Sequence, residues 1–287
     1  MVATLKRVVP GIVRLRHHLG RLIIHAILLA GAAWALFPFV WMVSSSLKGY
    51  AEASAAQTFL PTRWLFSNYI NAWNAVEYFP RYFGNTIFIA AATVLGVLIT
   101  STLAAYAFAR MEFPGREALF ILLLATMMIP FEVTLIPNFI LISNLKWVDN
   151  YAALIIPWVA SAFSIFLLRQ FFRSIPQDLY DAAVIDGCSN FRFLATIVVP
   201  LSRPALITSA LFTFLSSWNS LMWPILVTNR PEMRPIQVGM AAFIGEAGTQ
   251  IQLLLAAVTI SVIPVILIYL VLQRWFIEGI ATAGIRG

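Results

Sequence analysis

The chain has 287 residues, 61% of them hydrophobic and 11% charged, with a mean hydropathy of +0.86; a soluble domain of this length cannot bury so much apolar side chain, so the composition requires lipid as solvent. The net charge of +7 comes from basic residues scattered thinly between apolar blocks rather than set in a dense stripe, which argues against a nucleic-acid partner. A single Cys188 excludes an internal disulfide framework, and the three histidines, His17, His18 and His25, indicate no metal site.

A hydrocarbon layer of about 30 Å asks for roughly 20 helical residues per crossing. The alternation of a closed β-barrel is missing. Residues 1–21 form a basic leader with Lys6, Arg7, Arg14, Arg16 and Arg21. The apolar run from Leu22 to Val43 is too long for a secretory core, so it reads as an uncleaved first span, although Ala53-Ser54-Ala55-Ala56 imitates a cleavage site. The loop from Lys48 to Arg81 carries Phe59, Trp64, Phe66, Tyr69, Trp73 and Tyr78, amphipathic rings suited to the membrane interface.

Further apolar blocks run from Asn85 to Phe108, Ala118 to Pro130, Tyr151 to Phe172, Ala205 to Val227 and Ile251 to Ile277. The third is short unless it continues through Pro130, Glu132 and Pro137, where the prolines break or kink it. Phe131 to Leu145 reads alternatively as a re-entrant or interfacial segment. The fold class expected is all-α: a polytopic membrane protein of six transmembrane helices, in one membrane domain over 1–287 with a core at 85–277. With both termini inside, 13 of the 19 Lys and Arg residues lie on the cytoplasmic side, including Arg169 and Arg173 at the end of the fourth span. Asp149 and Glu246 read as ordinary loop charges, and Glu132 as an interfacial acid in preference to a member of a proton path.

The segment 174–203, between spans four and five, is the most informative. Ser174 can cap a helix, Pro176 is tolerated in the first turn, Asp178 suits the positive end of the dipole and Gly187 ends the helix. Ser189 can cap a second short helix, Phe191 to Val199, that stops at Pro200. Leu179, Ala182 and Ala183 share one face of the first helix, and Phe191, Leu194 and Val198 one face of the second. Such apolar surface either packs beneath its own bundle or meets a partner.

The run Asp181-Ala182-Ala183, then Gly187 after three residues, Ile197 after nine more, and Pro200, resembles the EAA loop of ABC-importer permeases. Asp181 stands for Glu and Val199 for Leu. Met128 to Pro137, Ser217-Trp218-Asn219 with Trp223-Pro224, and the tail Gly279 to Gly287 are similar to segments of the maltose-type, sugar-importing branch. The resemblance implies that Asp181, Ala182, Ala183, Gly187, Ile197 and Pro200 form a coupling loop docked on a cytoplasmic ATPase dimer. It further implies a second permease subunit, an extracytoplasmic solute-binding protein, and a place in the cytoplasmic (inner) membrane of a bacterium or archaeon. Contact of the tail near Thr282 to Gly287 with the ATPases is implied in the same way.

The three lysines, Lys6, Lys48 and Lys146, each follow leucine, so no Gly-Lys phosphate-binding loop exists here and the chain is expected to bind no cofactor of its own. ATP and Mg are left to the partner. Trp218, Asn219 and Trp223 bring aromatic faces and an amide together, which suits stacking and hydrogen bonding of a sugar, and equally suits ordinary helix packing. A phosphorylated polyol such as glycerol-3-phosphate stays open as substrate. The rival classes lack their signatures: an ion-coupled secondary transporter wants matching acidic or broken-helix sites in two related halves, and a membrane enzyme wants a catalytic set such as Ser/His/Asp or His-Glu-x-x-His. A DNA-binding helix-turn-helix at 174–200 would offer Arg192 alone as a phosphate clamp.

Overall fold

The computed structural model describes residues 2–55, 57–245 and 248–284. Apart from two-residue strands at Ile244–Gly245 and Gly248–Thr249, its regular structure is helical. The chain divides into two compact units, Met1–Ala72 with Thr249–Thr259, and Trp73–Gly248 with Ile260–Gly287. Four helical stretches are long and apolar enough to cross a membrane, and six if each of two bent helix pairs counts as one span.

In the first unit, α1 (Val2–Ser46) carries the apolar stretch Gly20–Ser46. Its side chains between residues 21 and 40 are exposed all round, as suits a helix surrounded by lipid. The chain then turns through α2 (Tyr50–Ala55) towards α3 (Ser67–Ala75). Lys48 is fully buried there, its ammonium donating to the Thr58 carbonyl and lying 4.8 Å from the centre of the Trp41 ring. Asn68 holds the turn by donating to the carbonyls of Ser46 and Lys48, each at 2.8 Å. The carbonyl and the face of the indole both offset part of the cost of burying the cation.

The second unit is built around α4 (Phe79–Arg110), an unbroken helix of 32 residues. It packs against α8 (Ala162–Ser174) and α12 (Arg203–Trp218). Close approach at one crossing needs Gly96, where an added Cβ would fall 2.6 Å from Cγ1 of Val159. Two apolar clusters stand out among the described residues. One gathers Ile89, Ile142, Ala153, Leu154, Trp223 and Val227; the other joins Ala105, Phe120, Leu168 and Phe172 to Ala183, Phe193 and Val198 of the loop after α8.

Three expected spans are interrupted. α5 (Arg116–Thr126) and α6 (Phe131–Asn144) meet at 97°, because Pro130, with ψ 139°, leaves the helical region and supplies no N–H. The fourth span, Tyr151–Ser174, is α7 (Tyr151–Ile155), a 3₁₀ turn at Ile156–Trp158 containing Pro157, and α8. The fifth apolar block, Ala205 to Val227, is not one helix. α12 ends at Trp218, and α13 (Met222–Val227) follows after a break. Beyond it lie α14 (Ile236–Met240) and the last long helix, α15 (Ile251–Gly284).

The loop after α8 forms α9 (Gln177–Ile185), then α10 (Asn190–Phe193), a π turn at Leu194–Val198 and α11 (Val199–Leu201). Asn190–Leu201 meets α12 at 81°. The second helix therefore does not stop at Pro200. The π turn, closed by Val199 N–H donating to the Leu194 carbonyl, carries the chain into the proline, whose ring would clash with a regular preceding turn.

Candidate functional site

A cavity of about 900 Å³ opens in the second unit. α4 supplies Thr86, Ile89, Thr93 and Val97, one residue per turn along one helix face. Phe131 of α6, Trp158 and Ser161 before α8, Ser164 in it, and Thr213, Ser216 and Ser217 of α12 complete much of the wall. The broken stretch Asn219–Leu221 and the start of α13, Met222–Pro224, close it. The break matters chemically, since it places side chains from an unwound segment against the cavity, where a continuous helix would present one stripe. Among the described residues, no ionisable side chain lines the cavity. Thr93, 3% exposed, carries a hydroxyl with no hydrogen-bond partner among the described residues. An unpaired buried hydroxyl costs free energy, so such a group is a natural point of contact for a polar ligand.

The three aromatic and amide residues expected near substrate separate. Trp218 is 2% exposed, does not line the cavity, and donates its indole N–H to the Ser261 carbonyl at 3.2 Å while packing on Phe83 and Phe214. Trp223 does line it, equally buried, with its N–H donated to the Ala153 carbonyl at 2.8 Å and its ring edge-to-face with Trp158. Only the indole surface is therefore left to meet a ligand. Asn219 is exposed at the break and lines the cavity, with Nδ2 donating back to the Leu215 carbonyl at 2.9 Å.

In the loop at 174–203, Ser174 does not cap the following helix. It is the last residue of α8, and its hydroxyl donates back to the Phe171 carbonyl at 2.7 Å. Pro176, with ψ 141°, occupies the cap position of α9. Gly187 has φ +72°, a left-handed conformation that glycine reaches without the cost a Cβ imposes. Its N–H donates to the Val184 carbonyl and that of Cys188 to the Ala183 carbonyl, the paired bonds of a Schellman stop. Ser189 caps the second helix by accepting from the Arg192 N–H at 3.4 Å.

Asp181 and Ala182 are exposed, Ala183 is buried, Ile197 is half-buried and Pro200 is exposed. Phe191 does not share the buried face of Leu194 and Val198. It is 71% exposed, because Phe193 takes the core place, edge-to-face on Tyr180. Together with Ile185 at 86%, it gives the turn a bare apolar tip.

Sequence reasoning missed several polar contacts. Arg169, read as a topology marker, is 3% exposed. Its Nη2 donates to both Glu117 carboxylate oxygens at 2.7 and 2.8 Å, Nε donates to the Phe108 carbonyl, and the guanidinium lies 3.8 Å from the centre of the Phe120 ring. Asp149, read as a loop charge, caps the turn after α13 by accepting from the N–H groups of Asn229 and Arg230 at 2.6 and 2.8 Å. Asn85 pins α4 to a later loop, donating to the carbonyls of Glu232 and Arg234. The spacing of i and i+4 between Arg169 and Arg173 was visible, but which of the two turns inward was not. Glu132 is exposed in the first turn of α6. Glu246 and residues 285–287 lie outside the described residues.

Residues 92–282 match the family described as binding-protein-dependent transport system inner membrane component. The chain is 33% identical over 254 residues to a diacetylchitobiose uptake system permease protein of Streptomyces coelicolor, covering 87% of this chain and 84% of that one. It is 36% identical over 264 residues to an sn-glycerol-3-phosphate transport system permease protein of Yersinia pestis, covering 89% and 94%. Among solved structures it is similar to a bacterial ABC transporter involved in the import of the acidic polysaccharide alginate, with a TM-score of 0.80 and 29% identity over 88% of this chain and 95% of that one. A cavity-bearing bundle of apolar helices, interrupted where the cavity forms, agrees with that likeness along most of its length, and the chain belongs to the family of binding-protein-dependent transport system inner membrane components, the permease subunits of ABC importers.

Proposed function

We propose that this permease forms half of the pathway by which an ATP-driven importer moves a neutral sugar or oligosaccharide across the cytoplasmic membrane, both its termini facing the cytoplasm. The observation that carries the substrate class is the wall of the cavity. Hydroxyls of Thr93, Ser161, Thr213 and Ser217, the Asn219 amide and the faces of Trp158 and Trp223 surround a volume suited to one or two sugar rings. They offer an anion no cation. A phosphate ester entering such a lining would lose its hydration without a counter-charge, at a cost of several kcal/mol. The glycerol-3-phosphate relative keeps a phosphorylated polyol as the second reading.

The remaining parts follow the division of labour in such importers. A solute-binding protein outside the membrane delivers the sugar, a second permease completes the pathway, and a cytoplasmic ATPase pair uses ATP and Mg. The turn between α9 and α10 docks on an ATPase subunit through Asp181, Ala182, Ala183 and Gly187, with Ile197 and Pro200 in the helix behind it. The bare apolar tip at Ile185 and Phe191 supports this, since a patch of this kind on a polar loop gains by being covered. Closure of the ATPases on ATP then moves the loop, and the two permeases rock to expose the cavity on alternate sides.

The test is purification of the tagged chain in mild detergent beside Gly187→Pro, followed by uptake in vesicles containing the purified complex. Recovery of an ATPase, a second permease and a binding protein, with loss of the ATPase alone from the variant, is the expected result. A native chain that comes through without any ATPase would sink the reading. Uptake competed by glycerol-3-phosphate and not by neutral oligosaccharides would replace the substrate with the second reading.

A further inference from the structure

We propose that Arg110 is a positioning residue for transport: with Gln177 it ties the end of α4 to the coupling loop, so that displacement of the loop is delivered to the cavity wall. The inference rests on the proposed docking of α9, and goes beyond it by naming the path inside this chain.

α4 reaches both places, as α8 and α12 do, but unlike those two it is not continuous in sequence with the loop and can be coupled to it only by side-chain contacts. Thr93 and Val97 stand in the cavity wall, and from Val97 the helix runs on without a break to Arg110, a rise of about 20 Å at 1.5 Å per residue. A helix continuous over this length, with no proline between Val97 and Arg110 to kink it, carries a shift of one end to the other, because sharp bends need such a break in the hydrogen-bond ladder. What it needs is a grip on the loop.

Arg110 supplies the grip. Its Nη1 donates to Gln177 Oε1 at 2.7 Å, and Nη2 donates to the Phe172 carbonyl at 2.9 Å and to the Ile175 carbonyl. Those carbonyls lie at the C-terminal end of α8, where the helix leaves its acceptors unmet and favours a cation. Gln177, the first residue of α9, passes the contact on, its Nε2 donating to Asp181 Oδ1 at 3.0 Å. One planar guanidinium thus holds the end of α8 and the start of α9 to α4 in a fixed geometry that a flexible ammonium cannot reproduce.

A second tie lies one turn away. Asn190 Oδ1, at the start of α10, accepts from Tyr180 of α9 at 3.0 Å and from Tyr106 of α4 at 3.3 Å. Tyr106 and Arg110 are four residues apart, hence on one side of α4. The two ties therefore seize both helices of the loop from a single helix face. The Nε–H of Arg110 is buried and has no acceptor among the described residues. The partners its two Nη atoms do meet are an amide and two backbone carbonyls, none of them a carboxylate, as suits a side chain that positions backbone.

The experiment uses the whole importer in proteoliposomes, with ATP hydrolysis and solute uptake measured together on Arg110→Lys, Gln177→Ala and the double variant. Expected for Arg110→Lys is a roughly tenfold fall in solute taken up per ATP hydrolysed, the scale of one charge-assisted hydrogen bond, with ATPase activity and complex yield retained. Gln177→Ala, at an exposed position, should lower the same ratio in an intact complex, and the double variant should fall no further than Arg110→Lys. An unchanged ratio in assembled Gln177→Ala and Arg110→Lys complexes would overturn the proposal. So would ATPase and uptake falling in parallel with yield in Gln177→Ala, which marks a structural cap. Failure of the native complex to show any ATP-dependent uptake would instead reject the importer reading on which the proposal rests.

Discussion

Replacing Gly187 separates backbone strain from packing. At φ +72° nothing lies within 4 Å of the place a Cβ would occupy, so Gly187→Ala meets no clash and bears only the cost of the left-handed conformation, about 1–2 kcal/mol. Gly187→Asn should cost distinctly less, since Asn tolerates this region. If the strain is relieved by opening the turn, the Schellman bond from Cys188 N–H to the Ala183 carbonyl, 2.8 Å in the native chain, opens roughly 5–30 times more often in the Ala variant, the factor that 1–2 kcal/mol represents. Hydrogen–deuterium exchange of peptides covering Cys188, in nanodiscs, reads this directly, with peptides from the middle of α4 as an unchanged control. Uptake should fall in the order Gly, Asn, Ala. Equal protection in the Gly and Ala proteins, or an Asn variant as open as the Ala variant, would refute the reasoning.

At Gly96, an added Cβ would sit 2.6 Å and 2.9 Å from the Val159 side chain. Gly96→Ala should therefore destabilise by about 1–3 kcal/mol, seen as a lower unfolding temperature in detergent and largely restored by Val159→Gly. Glu117→Gln leaves the buried Arg169 guanidinium without its counter-charge; because the Glu117 side chain is 56% exposed, water offsets part of the loss and the unfolding temperature should fall less than for a fully buried pair. The double variant with Arg169→Met should unfold at a higher temperature than Glu117→Gln alone, and a lower one would count against an uncompensated charge as the cause. Burial works upward on the Glu52 carboxyl, yet the Thr62 N–H, the Thr58 and Thr62 hydroxyls and the Lys48 charge together hold it below the usual carboxylate range. A depressed acid contributes stability above its ordinary range that is lost as pH falls through the folded value. Exchange protection around Thr62, corrected for intrinsic rate, should accordingly fall on acidification below the ordinary carboxylate range, and Glu52→Gln should remove that pH dependence.

The stop at Gly187 and the cap at Ser189 were legible in the sequence because each is a local event, fixed by one residue's backbone freedom or one hydroxyl within three residues of its partner. Ser174 and Phe191 misled for the complementary reason. Pro176 can begin a helix without a side-chain cap, so Ser174 closed the helix before it. Phe193 displaced Phe191 from the core once Tyr180 stood opposite, a contact across 13 residues that periodicity does not see. The cavity was half legible: Trp223 and Asn219 reach it, whereas Trp218, five residues before Trp223, faces the carbonyl of Ser261.

The sequence by itself determined that the chain is helical and lives in lipid, where its apolar blocks lie, and that the loop after α8 is two short helices about a glycine, because composition, span length and turn chemistry are properties of neighbouring residues. Only the tertiary structure decided that the fourth and fifth spans break, which of Arg169 and Arg173 turns inward, which tryptophan faces the cavity, and that Arg110 reaches Gln177. The last three are choices between faces of helices brought together from 40 or more residues apart, and their energies exist only once the helices are packed.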